Sequence, residues 1–131
     1  MLDILLVQKH SASQIQLFMA AALGCQVDRV KVFEAEEFYS TNEQWDDLSF
    51  DCLCIFSSVS GDVAQLLQIL KYQVGDNLLG MISEVAFRDQ VQLYVPLNSY
   101  NSWAFLGDDE SLKYAKQIDN DDVECYCFEM V

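Results

Sequence analysis

The sequence predicts an α/β fold, a three-layer sandwich with a mostly parallel N-terminal sheet and an antiparallel C-terminal portion. Three observations carry that expectation. Over the first eighty or so residues, short apolar runs alternate with apolar stripes at helical spacing. Serine-rich breaks and glycines separate them, as helix starts and stops require. Beyond that point apolar and polar residues alternate up to the one proline, Pro96, which is a hairpin signature. A chain of 131 residues, 52% hydrophobic and 21% charged, suits a single domain over residues 1–131 that can bury a core.

Taken in order, residues 2–7 (LDILLV) are almost all apolar and read as a strand buried on both faces. Ser11 or Ser13 can cap a helix carrying the stripe Ile15, Leu17, Phe18, Ala21 and Ala22, and Gly24 supplies its stop. Val27, Val30, Val32 and Phe33 mark a second strand, so the opening reads β–α–β. Residues 52–56 (CLCIF) form a third. Ser60 or Asp62 then caps an apolar helix through Val63, Leu66, Leu67, Ile69, Leu70 and Val74, ending at Gly75. Residues 78–82 are expected to be a fourth strand. Val85 and Phe87 pair in a hairpin with Val91, Leu93 and Val95, turning at Asp89 and Gln90, and Pro96 closes that strand or places it at an edge. A short helix over residues 108–118 and a strand over residues 123–130 complete the chain.

Residues 34–51, EAEEFYSTNEQWDDLSFD, are the most distinctive stretch. They hold seven carboxylates and no Lys, Arg or His, interleaved with Phe38, Tyr39, Trp45 and Phe50. Part of this stretch is expected to be helical, with Phe38, Thr41, Trp45 and Leu48 on one face. Glu34, Glu36 and Glu37 then fall in a first turn, where the helix dipole favours negative charge. Asp46, Asp47 and Asp51 lie at the opposite end, where the dipole opposes them, and call for another explanation. With Phe38 and Trp45 turned to the core, Tyr39 is left as the exposed aromatic.

The whole chain carries 21 Asp and Glu against 7 Lys and Arg, a net charge of −14. Such a charge repels nucleic-acid phosphates and anionic lipid heads and draws basic proteins at enhanced rates. No apolar run approaches the roughly 18 residues of a membrane span, and the opening MLDILLVQKH lacks the basic start of a signal peptide. Five cysteines, four of them in the pairs Cys52/Cys54 and Cys125/Cys127 within apolar runs, suit reduced, buried thiols of a cytoplasmic protein.

The first eighty residues also resemble a response-regulator receiver domain, over about residues 2–83. Residues 4–7 (ILLV) match its first strand, 34–38 (EAEEF) the opening of its second helix, 50–56 (FDCLCIF) its third strand and 78–83 (LLGMIS) its fourth. That resemblance implies parallel strands in the order 2-1-3-4-5. The receiver chemistry departs: Gln8–Lys9 stand where the magnesium-binding acids belong, Phe56–Ser57 where the phosphoacceptor belongs, and Val95–Pro96 where Lys–Pro belongs. Only Ser83 matches the switch hydroxyl. The resemblance thus implies a degenerate receiver without phosphotransfer, acting as a signalling or scaffold module.

Catalytic and metal motifs are sparse. His10, the single histidine, follows a strand, where Cys52, Cys54 or Ser57 could approach it as a nucleophile, and this is the basis of an enzyme alternative. Each C-x-C pair projects both sulfurs to one face, but four thiols in apolar runs read as core rather than zinc ligands. DNDDVE at 119–124 lacks the spacing of a calcium loop. No cofactor and no metal is expected. The remaining signal is acidic surface. By charge and size the chain is similar to small acidic immunity proteins of bacteria. The leading expectation is therefore a non-enzymatic inhibitor that blocks the cleft of a basic, nuclease-type toxin. Its contact residues are expected to be Glu43, Trp45, Asp46 and Asp47, with Tyr39, Asp121 and Asp122. An acidic secretion chaperone is a variant of that reading.

Overall fold

A computed structural model of the chain describes residues 2–40, 50–72, 78–107 and 112–131. Strand β1 (Leu2–Leu6) leads through a polar loop into helix α1 (Ala12–Leu23). The Ser11 hydroxyl accepts the Gln14 N–H at 3.2 Å while the Gln14 side chain accepts the Ser11 N–H at 2.8 Å. This reciprocal box satisfies helix-end donors that have no partner within the helix. Gly24, at φ +69°, ends the helix. A single 3₁₀ turn (Val27–Arg29) precedes strand β2 (Val30–Glu34), which runs directly into the short helix α2 (Ala35–Ser40). Then follow β3 (Cys52–Ser58), β4 (Ser60–Gly61), β5 (Gln65–Tyr72) and helix α3 (Leu78–Asp89). The remaining strands are β6 (Leu93–Pro96), β7 (Ser102–Leu106), β8 (Lys113–Ile118) and β9 (Cys125–Met130).

Among the described residues the strands form one nine-stranded sheet in the order β2-β3-β5-β1-β6-β7-β8-β9-β4. Only β2–β3 and β4–β9 are parallel pairs; the other neighbours are antiparallel. The expected three-layer sandwich with a mostly parallel N-terminal sheet is therefore replaced by a mixed, mainly antiparallel sheet. Helices α1 and α3 pack against each other and against one of its faces.

Three segments account for the difference. Val63 to Val74 carries apolar residues at helical spacing, yet Gln65 to Tyr72 form β5, laid between β3 and β1. A strand apolar on both faces has no clean period of two, so its run imitates a buried helix. Conversely, residues 78–89 form α3, not a strand followed by a hairpin arm, and Ile82, Val85 and Ala86 supply its buried face at i, i+3 and i+4. Val91 follows that helix, and Gln90 takes φ +56° at the break. Of the expected helix over 108–118, Lys113–Ile118 are strand β8, with Ala115 buried between exposed Tyr114 and Lys116. The receiver-like segments 50–56 and 78–83 thus lie in β3 and α3, and β1 sits beside β5 and β6, not beside β2 and β3. The first strand, α1 with its Ser11 and Gly24 caps, β2, β3, the strand end at Pro96 and the last strand stand as the sequence indicated.

The face away from the helices is rolled inward. Tyr94 on β6 stacks on Phe128 of β9 with ring centroids 4.0 Å apart and planes within 9°. Two strands lie between them, so in a flat sheet the pair would stand about 14 Å apart. Only strong curl brings them into contact. Phe105 and Trp103 close on the same pair at 4.9 and 5.6 Å, and the Trp103 indole donates to the Gln117 side chain at 3.1 Å. Leu5, Val63 and Ala115 complete this second core.

The curl brings β9 round to the chain that continues β3. The Ser60 N–H donates to the Glu124 carbonyl at 2.9 Å, the Asp62 N–H to the Tyr126 carbonyl at 2.7 Å, and the Phe128 N–H to the Asp62 carboxylate at 2.9 Å. Gly61 sits inside this seam at φ +96°, where an added Cβ would run into the Tyr126 backbone. Gly61→Ala is thus expected to cost more than about 2 kcal/mol. Gly24→Ala, with open space around its Cβ, should cost about 1 kcal/mol. Urea unfolding of the two variants checks the contrast; equal costs would mean that the seam carries no stability.

Candidate functional site

The seam creates a fork. Successive residues of a strand turn their N–H groups to opposite edges. The Val59 N–H donates to the Ala64 carbonyl, on the β5 side, while the Ser60 N–H donates to the Glu124 carbonyl. Strand β9 therefore joins the edge of the β3–β4 chain that β2 occupies further down. The pairing with β2 ends at Glu34 opposite Phe56, and that with β9 begins at Cys125 opposite Ser60. Four residues of strand span about 13 Å. Helix α2 leaves from one side of this gap and the acidic 119–124 loop arrives on the other. Two carboxylate groups from opposite ends of the chain thus flank one short stretch of strand.

Local sequence explains each side. Ala35–Ser40 is anchored through Phe38, whose ring lies 5.9 Å from Phe33 on β2. Glu36 and Glu37 occupy the first turn, where the backbone N–H groups favour them. Tyr39 packs edge-on against Phe38 at 5.5 Å and remains 69% exposed. On the other side, the Asn120 side chain accepts the Asp122 N–H and donates to the Cys125 carbonyl, both at 2.9 Å. Asp122 in turn accepts the Glu124 N–H at 2.9 Å, and Asp119 accepts from the Asn101 amide at 3.0 Å. These bonds fix the loop and leave Val123 87% exposed at its tip. Among the described residues, the side chains of Glu34, Glu36, Glu37, Asp121 and Glu124 have no hydrogen-bond or ion-pair partner. The arrangement can attract and seat a cationic surface.

The expected contact residues divide accordingly. Tyr39 lies on one side of the fork, Asp121 and Asp122 on the other, all exposed. Glu43, Trp45, Asp46 and Asp47 fall outside the described residues. Asp51, unexplained by the helix dipole, is half-buried and accepts from the Arg29 guanidinium at 3.0 Å, so it serves the fold. The sequence marked Asp62 only as a candidate cap for a helix that is strand β5 instead; the structure makes its carboxylate the tie between β9 and the β4 turn.

His10 occupies a separate place. Gln65, buried in the core, accepts the His10 N–H at 2.8 Å and donates to the His10 carbonyl at 2.9 Å. The imidazole lines a cleft of about 250 Å³ between α1, α3 and the sheet, and burial holds its pKa below the ordinary 6.5. None of Cys52, Cys54 or Ser57 lines that cleft. The C-x-C pairs do face single sides of their strands, with sulfurs 3.4 Å apart in the core at Cys52/Cys54 and 4.0 Å apart, half-buried, at Cys125/Cys127. All five cysteines are free. The hydrogen bond with Cys52, together with burial, pushes the Cys54 thiol up, away from a reactive thiolate. Among the described residues no three His, Cys, Asp or Glu side chains converge as metal ligands, and no helix is long and apolar enough to cross a membrane.

Among the described residues, Asp3 carries the one buried side-chain polar atom without a hydrogen-bond partner, its Oδ1. Alternation along β1 puts this residue on the rolled face with Leu5. Burial raises its pKa above 3.8, and its charge contributes to the upward shift of the Tyr126 phenol, whose chief cause is burial. Because the folded value lies above the unfolded one, the folded chain binds this proton more tightly. The resulting penalty is full above the folded value and is relieved as pH falls through it toward 3.8. Asp3→Asn should therefore raise Tm by about 2–6 °C at pH 7, and the gain should shrink in acid. Scanning calorimetry from pH 3 to 7 checks this; a gain independent of pH would assign the effect to packing.

Comparison with protein families, with curated proteins and with solved structures returns no match.

Proposed function

We propose that this chain is a non-enzymatic, cytoplasmic docking protein that binds and blocks a basic partner, in the manner of a bacterial immunity or antitoxin protein facing a nuclease-type toxin. The observation that carries the reading is the fork. It sets Glu34, Glu36 and Glu37 across a short gap from Asp121 and Glu124, free of internal cations, on a chain of net charge −14. Two exposed apolar side chains, Tyr39 and Val123, stand one on each side. Carboxylates speed the encounter with a Lys- and Arg-lined cleft, and desolvated aromatic contact slows escape. A nuclease cleft shaped for phosphates would meet negative groups held beside the strand ends, on a short helix and a hydrogen-bonded loop, which orders them at little entropic cost.

The test is capture from the native host with the chain as bait, elution by rising salt, and assay of the eluate for nuclease activity. A basic protein released only at high salt, active once free and silent when the chain is added back, is the expected result. Replacing Glu36 and Asp121 together by Lys should slow association about tenfold with the melting temperature unchanged. A partner held equally well by that variant, or an added chain that leaves nuclease activity untouched, would sink the reading.

A further inference from the structure

We infer that the cleft beside His10 is a binding site for a small amphipathic amine, an aryl or branched alkyl body carrying one ammonium group. The inference is independent of the acidic fork. The cleft, about 250 Å³, exceeds the roughly 150 Å³ cavity that accommodates a benzene ring, leaving room for a ring and a short chain. Phe18, Leu67 and Val91 give it apolar walls, while His10, Gln14 and Asp89 supply its polar groups. That combination of an apolar body and a few placed polar atoms is what ligand sites share.

The frame is fixed in advance. Gln65 holds the His10 backbone through two bonds, the Val7 N–H donates to the Gln92 carbonyl at 3.0 Å, and the Val91 N–H to the Ala86 carbonyl at 2.9 Å. The Gln14 side-chain oxygen is taken up by the cap of α1, which fixes that side of the cleft. The sign of the head group follows from Asp89. It is the last residue of α3, the end at which the helix dipole is negative. Arg88 offsets it through exposed contacts of 2.9 and 3.2 Å, and that hydrogen bonding lowers its pKa. Burial lowers the pKa of His10, which disfavours a competing cation there. An ammonium at the mouth can share the Asp89 carboxylate while its body fills the apolar part.

The experiment is a backbone-amide NMR titration of the full chain with 2-phenylethylamine, against 2-phenylethanol and 3-phenylpropanoate, at fixed ionic strength. Saturable shifts centred on His10, Gln14, Leu17 and Val91 are expected, with the amine binding at least fivefold tighter than the alcohol and the carboxylate weakest. Asp89→Asn, at an exposed helix end, should remove the advantage of the amine and keep the binding of the alcohol. Shifts spread over the acidic fork, an absence of saturation, or equal affinity for amine and alcohol would overturn the assignment.

Discussion

The structure depends on the closure of β9 onto the chain that continues β3. Backbone and side-chain hydrogen bonds and one glycine make that seam, and each has a specific requirement. Ser60 and Asp62 donate to β9 backbone carbonyls, and the Asp62 carboxylate reaches back to the Phe128 N–H. Gly61 alone permits the approach of the two backbones. An open sheet of this length would leave β9 as an exposed edge with free donors and acceptors, which invites pairing with other chains. Closure satisfies part of that edge and folds the aromatic face into a second core. The Tyr94–Phe128 stack is its consequence: it exists only because the sheet has turned through most of a circle.

The same closure orders the surface. Strands β2 and β9 compete for one edge of the β3–β4 chain, and the fork where they separate is where both acidic segments come to rest. The helix-covered face obeys a different logic. There Gln65 is buried with both ends of its amide spent on the His10 backbone, which ties the loop between β1 and α1 to β5. A buried amide is tolerable only when both ends are paired. The fold thus separates two kinds of surface, a charged rim beside the ends of β2 and β9 and an apolar cleft with a polar mouth.

Much of the N-terminal half was legible in the sequence because its signals are local. Ser11 with Gln14 and Gly24 bracket α1 by chemistry that acts within a few residues, and Pro96 ends β6 because it cannot donate to a ladder. The segments that misled share another property. Residues 65–72 lie between two strands and under helices on one side, so both faces are apolar and the period vanishes. Residues 78–89 begin with a run, LLGMIS, that fits a strand until the burial of Ile82, Val85 and Ala86 is known. Of the proposed site, the charge of residues 34–37 and 119–124 and the exposure of Tyr39 could be read directly. Their proximity could not, since it arises from strand pairing between distant parts of the chain.

By itself the sequence determined the caps of α1, five of the nine described strands and the acidic balance, since these follow from side-chain chemistry and short-range sterics. The tertiary structure alone decided strand direction and order, which of two apolar runs became helix, the inward roll of the aromatic face and the meeting of two acidic segments at one fork. Those features turn on backbone hydrogen bonds between remote residues. Every residue carries the same donor and acceptor, so a one-dimensional pattern does not say with which partner they will pair.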